Sequence, residues 1–180
     1  IMWKETVIFF EVILIINNLF SSYKCSMVVE PESVQLEYLI CRQCGADAAD
    51  TYYVYDHFSP EALHVRMNQS IFGRTDVAVQ LLENPFGMQF EVVTVAKALC
   101  ANTNRDKWHV QYSWYPGYSW KHCLCPRCGA HLGWMFEPID TATSDRSVPS
   151  DKGFFVLILD KILSEGFINS HMILGRTIFS

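Results

Sequence analysis

Cations are scarce in this chain. Its 180 residues hold 14 Lys and Arg against 19 Asp and Glu, a formal net charge of −5. Phosphate neutralisation needs clustered Lys and Arg, and no basic stripe is present, so nucleic acid is excluded as the main partner. No apolar run reaches the roughly 20 residues of a comfortable membrane span. Convincing helical periodicity is rare, low-complexity segments are absent, and nothing repeats except one short motif, Cys-x-x-Cys. No cysteine follows Cys128. What remains is a chain half hydrophobic, enough to bury a core in one domain with extensions.

The first residues differ from the rest. Lys4 precedes an apolar run from Val7 to Ile16, and Asn17, Asn18, Ser21 and Ser22 follow. Charge, apolar centre and small polar residues in that order resemble a secretory signal peptide over residues 1–24. Glu11 interrupts the run, and a packed amphipathic helix is the alternative. Asn68-Gln-Ser70 is a glycosylation sequon and fits export. Residues 25–36, with Pro31 between Glu30 and Glu32, read as a linker.

From there the chain reads as mostly β. Thr51 to Tyr55 and Phe90 to Val95 are rich in β-branched and aromatic residues and predict strands. Trp108 to Trp114 alternates as a strand does, and His131 to Phe136 predicts another. Ser59-Pro60 is placed to cap a short helix. Asp76 to Leu82 fits either state, and Phe154 to Leu163 is a closing strand or a short helix. Asn84-Pro85-Phe86-Gly87 and Pro116-Gly117 are turns. Thr141 to Asp151 is a loop.

Cys41-Arg-Gln-Cys44-Gly45 and Cys125-Pro-Arg-Cys128-Gly129 form two matched knuckles. Two residues between thiols let both sulfurs reach one ion, and four thiolates suit tetrahedral Zn²⁺. Glycine after each pair provides the positive φ that curls the backbone toward the sulfurs. About 80 residues separate the pairs, more than a zinc ribbon spans, so the metal clasps two distant hairpins. Four protein ligands leave no open position, which makes the metal structural. Redox dithiols are the competing reading. Of the remaining cysteines, Cys123 is a partly buried free thiol or a competitor of Cys125 for the ion, and Cys100 packs in the core.

Trp114, Trp120 and Trp134 flank the second knuckle. Core packing is one reading of them. The other is a cage on a rigid metal frame, which would hold a flat ring or a quaternary ammonium group.

Ser113-Trp-Tyr-Pro-Gly-Tyr-Ser-Trp120, then Cys125-x-x-Cys128, then His131-Leu-Gly-Trp134-x-Phe136 resembles the CULT domain family, the thalidomide-binding domains of the cereblon type. Cys41-x-x-Cys44 and Asn84-Pro85-x-Gly87 match its other landmarks in order. The resemblance covers Glu37 to Pro138 and extends to Phe154–Leu163, which sets a domain at 37–165 and a tail at 166–180. It implies a β-tent fold, two antiparallel sheets pinned by zinc on Cys41, Cys44, Cys125 and Cys128. It implies a pocket in which Trp114, Trp120 and Trp134 wall a cyclic imide or a uracil-like ring, free or at a peptide end, with Phe136 at its base. Backbone groups of Tyr112, Ser113 and Trp114 and the Trp114 indole would bond the imide, and Asn84 would reach over it.

Tyr112 stands where well-known members have His, and Phe86 and Phe90 replace polar residues, which makes the rim more apolar. The resemblance does not include the region that carries ubiquitin-ligase adaptor contacts, so no adaptor is expected, and the leader suggests the stand-alone secreted type. Two other functions compete. Methionine sulfoxide reductase B shares the paired knuckles but needs a nucleophilic cysteine downstream of them, and none follows Cys128. A methylammonium cage needs a carboxylate, and Glu137, the nearest, alternates away from Trp134 and Phe136.

Overall fold

Phe90 to Val95 lies at the centre of the larger of two antiparallel sheets. A computed structural model describes residues 37–101 and 107–169, and the expected leader and linker lie outside them. The described strands are β1 (Tyr38–Cys41), β2 (Asp47–Asp50), β3 (His64–Ile71), β4 (Arg74–Glu83), β5 (Gln89–Val95), β6 (Tyr118–Leu124), β7 (His131–Pro138), β8 (Phe154–Ile158) and β9 (Ile162–Ser164). Six form one sheet in the order β3-β4-β5-β8-β7-β6, and three form another in the order β2-β1-β9. Every strand pairing is antiparallel. The described residues all belong to one compact unit, Val34–Ser180.

Both faces of the large sheet are covered near its centre, so β8 and the second half of β5 are buried at every position. On one face Val93, Val95, Leu157 and Met135 pack with Leu39, Cys41 and Ala48 of the small sheet. On the other, Val92, Val156, Phe154 and Phe136 pack with Trp114, Tyr115 and Trp134. Phe136 and Phe154 are almost completely buried and stack at 5.1 Å. Burying each contributes about 1.5–3 kcal/mol.

Several local expectations are corrected. Thr51–Tyr53 is a 3-10 turn, because the Asp50 carboxylate accepts the Tyr52 N–H at 2.7 Å and starts a turn that β propensity opposes. The Ser59-Pro60 segment makes a turn in place of a helix, with the Ser59 hydroxyl accepting from the Glu61 N–H. Among the described residues, Trp108 to Trp114 pairs with the sheet's backbone through a single bridge between His109 and Trp120. It then turns at Tyr112, whose φ of 59° ends any strand. Asp76 to Leu82 is strand, and β8 and β9 divide the closing apolar run around a 3-10 turn. Cys100 and Cys123 are joined as a disulfide, so neither is a free thiol and Cys123 does not compete for the ion.

Candidate functional site

The two knuckles fold alike. In the first, the Gly45 N–H bonds the Cys41 carbonyl and the Cys41 N–H bonds the Ala46 carbonyl. In the second, Gly129 bonds Cys125 and Cys125 bonds Ala130 at the same two lengths, 2.9 and 2.8 Å. Gly45 and Gly129 take φ of 69° and 73°, as the turn demands. One knuckle closes the β1–β2 hairpin of the small sheet and the other the β6–β7 hairpin of the large one.

All four sulfurs lie within 4.8 Å of one another. Cys41 and Cys128 are 3.8 Å apart, and Cys44 and Cys125 3.6 Å. Zn–S bonds of about 2.3 Å in a tetrahedron place sulfurs about 3.8 Å apart, so the donor set fits. Crowding drives the titration of these thiols apart. Burial pushes the Cys125 thiol up, but the N–H groups of Cys128 and Arg127, together with the Cys44 and Cys128 thiols, outweigh it and bring it down to about 7. At Cys128 the Ala130 N–H favours the thiolate, yet desolvation and three neighbouring sulfurs push it up to about 12. Thiols so crowded ionise together only around a cation.

The tryptophans stand at one end of the large sheet's second face. β6 and β7 pair Trp120 with Phe136 and His122 with Trp134. Trp114 meets Trp134 edge to face at 4.7 Å. A cavity of about 550 Å³ opens between them, lined by these three tryptophans, Phe136, Asn84 and, unforeseen, His122 and His131. Pro85, Phe86, Met88, Phe90 and Tyr112 complete its wall and rim. That volume is in the usual range for small-molecule sites, about 300–1,000 Å³.

The polar groups of the expected site are largely committed within the protein. The Trp114 indole N–H donates to the Glu83 carbonyl at 2.7 Å, which removes it from the expected imide contact. Its carbonyl accepts from the Ser59 hydroxyl at 2.5 Å. The Trp120 indole donates to the Gln111 carbonyl. Ser113 does not line the cavity; its hydroxyl donates to the Tyr115 carbonyl. The Asn84 Oδ1 accepts from the Phe86 and Met88 N–H groups and shapes its own loop. Tyr112 is largely exposed at the mouth, and Phe86 more so, at 87%.

His131 escaped the sequence reading for a geometric reason. Three positions separate it from Trp134, which in a regular strand puts the two on opposite faces. β7 bulges between Leu124–His131 and Cys123–Gly133, so Leu132 is extra and both rings emerge on the same face, 4.7 Å apart. Gly133 is required there. It holds φ of 152°, and a Cβ would come 2.0 Å from the Val156 carbonyl oxygen. His122, two positions from Trp120, was legible by alternation. Glu137 is buried on the other face as expected, held by Thr141, Ser150 and Arg146.

No protein-family model matches the chain. Curated relatives do. It is 42% identical to protein cereblon of Gallus gallus over 53 residues, 29% of this chain and 12% of that protein. It is 37% identical to protein cereblon of Xenopus tropicalis over 57 residues, 31% of this chain and 12% of that one. For Drosophila melanogaster protein cereblon the figures are 35% over 57 residues, 31% and 10%. The match spans about an eighth of the first two relatives. With its mostly β fold, two antiparallel sheets and clustered cysteines, this chain carries a cereblon-like domain of the CULT type.

Proposed function

We propose that this domain is a zinc-stabilised binding module for a small cyclic imide or uracil-like ring, free or at a peptide end, and that it acts without catalysis. The observation that carries this is the cavity itself, with three indoles and Phe136 around an apolar space on a cysteine-braced hairpin. Stacked aromatic walls bury the carbons of a planar ring, while a few fixed polar groups orient it. With the Trp114 indole committed to Glu83, those groups are the backbone at Tyr112 and the Asn84 Nδ2. No acidic residue lines the cavity among the described residues, which disfavours a methylammonium cage. No thiol or serine hydroxyl lines it either, which disfavours a covalent mechanism.

We also propose that the protein works in an oxidising, secretory compartment. The Cys100–Cys123 disulfide supports this, as disulfides persist where glutathione does not reduce them. The exposed Asn68 sequon is consistent with it.

Titration with glutarimide, uridine and trimethyl-lysine, read by tryptophan fluorescence, tests the site. Glutarimide or uridine should bind and trimethyl-lysine should not, and Trp120→Ala should abolish binding without lowering the melting temperature much. Unchanged affinity in Trp120→Ala would overturn the assignment.

A further inference from the structure

A second cavity, of about 310 Å³, runs along the edge strand β2 and shares no lining residue with the first. Tyr38, Asp47, Ala49, Asp50, Tyr53 and Lys97 line it. An irregularity in the β1–β2 pairing builds it. Tyr38 pairs with Asp50 and Leu39 with Ala49, but Ile40 pairs with Asp47, so Ala48 is extra. Asp47 and Asp50 are three positions apart, which in a regular strand puts them on opposite faces. The bulge brings both to the face that carries Tyr38. The other wall is the segment 96–99. It is fixed by the Ala96 N–H on the Tyr53 carbonyl at 2.9 Å and by the Leu99 N–H on the Ala48 carbonyl at 2.7 Å.

The chemistry of this groove is the reverse of the tryptophan cavity's: two carboxylates, two phenol rings and one ammonium. The Asp47 carboxylate has no partner among the described residues. Asp50 engages Oδ1 alone, with the Tyr52 N–H. Lys97 Nζ lies over the Tyr53 ring, 5.1 Å from its centroid. The protein thus sets a cation of its own on the aromatic face, and two carboxylates outnumber it. Lys97 is exposed, so its stem is free to swing away. We propose that the groove binds the guanidinium of a peptide arginine, which takes the place of Lys97 on Tyr53 and donates to Asp47 and Asp50. A guanidinium suits this donor set better than the resident ammonium. It is planar, stacks on aromatic faces, and offers five N–H donors in a fork that matches carboxylates. The volume is at the small end for binding sites, as a single side chain requires. Ala49, almost fully buried between the two acids in sequence, leaves the room.

The test titrates N-acetyl-arginine methylamide and its citrulline counterpart, which keeps the planar shape without the charge. The proteins are the wild type, Asp47→Asn, Tyr53→Leu and Lys97→Met, and binding is read from the ¹³C resonances of the tyrosine rings. The arginine compound should move Tyr38 and Tyr53 and bind at least about tenfold more tightly than the citrulline compound. Asp47→Asn should cut that preference to about threefold or less, and Tyr53→Leu should weaken the arginine compound about threefold. Lys97→Met, which vacates the ring face, should tighten it about threefold, a gain that a merely structural lysine would not give. Equal affinities for the two compounds in the wild type, or no movement of either tyrosine, overturns the proposal. So does an arginine affinity unchanged in both Asp47→Asn and Lys97→Met. Should Tyr53→Leu fail to fold, those two exposed positions decide.

Discussion

Trp114 donates its indole N–H to the backbone carbonyl of Glu83 at 2.7 Å. The bond joins the aromatic wall to the end of β4, where the Asn84 loop begins. It makes Trp114 a fastening as well as a surface, Trp120 is fastened to the nearer Gln111 carbonyl, and Trp134 is held by ring contacts with Trp114 and His131. The three tryptophans therefore differ in what they would lose on substitution.

Trp114→Phe keeps an aromatic face and removes the bond. The Glu83 carbonyl lies near solvent, so the loss should be modest, about 1 kcal/mol in thermal or denaturant unfolding. Ligand affinity should fall by more than stability does, because the Asn84 loop loses its anchor. A variant that melts lower and binds unchanged would mean the fastening does not shape the site.

Removing the metal should unfold the domain. The four sulfurs join hairpins of both sheets, and a thiolate cluster so close repels itself without a cation. A chelator should abolish the cooperative melt, and Cys44→Ser should do so without chelator. Metal analysis should return one zinc per chain. A melt unmoved by chelation would remove zinc from the fold.

The four-cysteine cluster, the nearness of the tryptophans and the Asn84 turn were legible because each depends on short spacing: two residues between thiols, Asn before Pro, tryptophans beside a knuckle. What failed depended on distant partners. Thr51–Tyr53 reads as strand by propensity, and one Asp50 side-chain bond turns it. Cys100 and Cys123 read as unrelated thiols until β6 brings them together. His131 was hidden because a bulge reverses the alternation that assigns faces. The Trp114 indole was assigned to a ligand because nothing in its neighbourhood of sequence announces Glu83, 31 positions away.

The disulfide closes a loop of 23 positions between Cys100 and Cys123. Cross-links over loops of this size typically stabilise by about 2–4 kcal/mol. Cys100→Ser with Cys123→Ser should lower stability by that amount while zinc content stays the same. If the double variant also loses zinc, the disulfide is coupled to the neighbouring Cys125 knuckle and does more than constrain the unfolded chain.

Asn68 is exposed on the edge strand β3, at a bulge where its φ is 53°. Ser70 is exposed beside it. In a protein exported from eukaryotic cells the sequon should receive a glycan. Endoglycosidase treatment should then speed migration on a gel, and Asn68→Gln should migrate as the treated form does. Secretion of the wild type with no endoglycosidase shift would show the site unused, and retention in the cytosol would overturn the compartment.

Glu137 links acidity to stability. Burial pushes its carboxyl up, but bonds from the Thr141 hydroxyl and from the Ser150 N–H and hydroxyl, together with Arg146, outweigh that and hold it below the usual range. A carboxylate whose folded pKa is depressed binds its proton first in the unfolded chain. Its contribution is thus present above the unfolded value, about 4.3, and is lost as pH falls through the folded one. Glu137→Gln should cost about 2 kcal/mol at pH 7, since charged hydrogen bonds are replaced by weaker neutral ones. Zinc loss also destabilises in acid, so the difference between the two proteins is the quantity to follow. It should shrink as pH drops below about 4. A gap constant from pH 7 to pH 3 would show that Glu137 acts by shape and hydrogen-bond count, and that its charge is not what holds the 141–150 loop to β7.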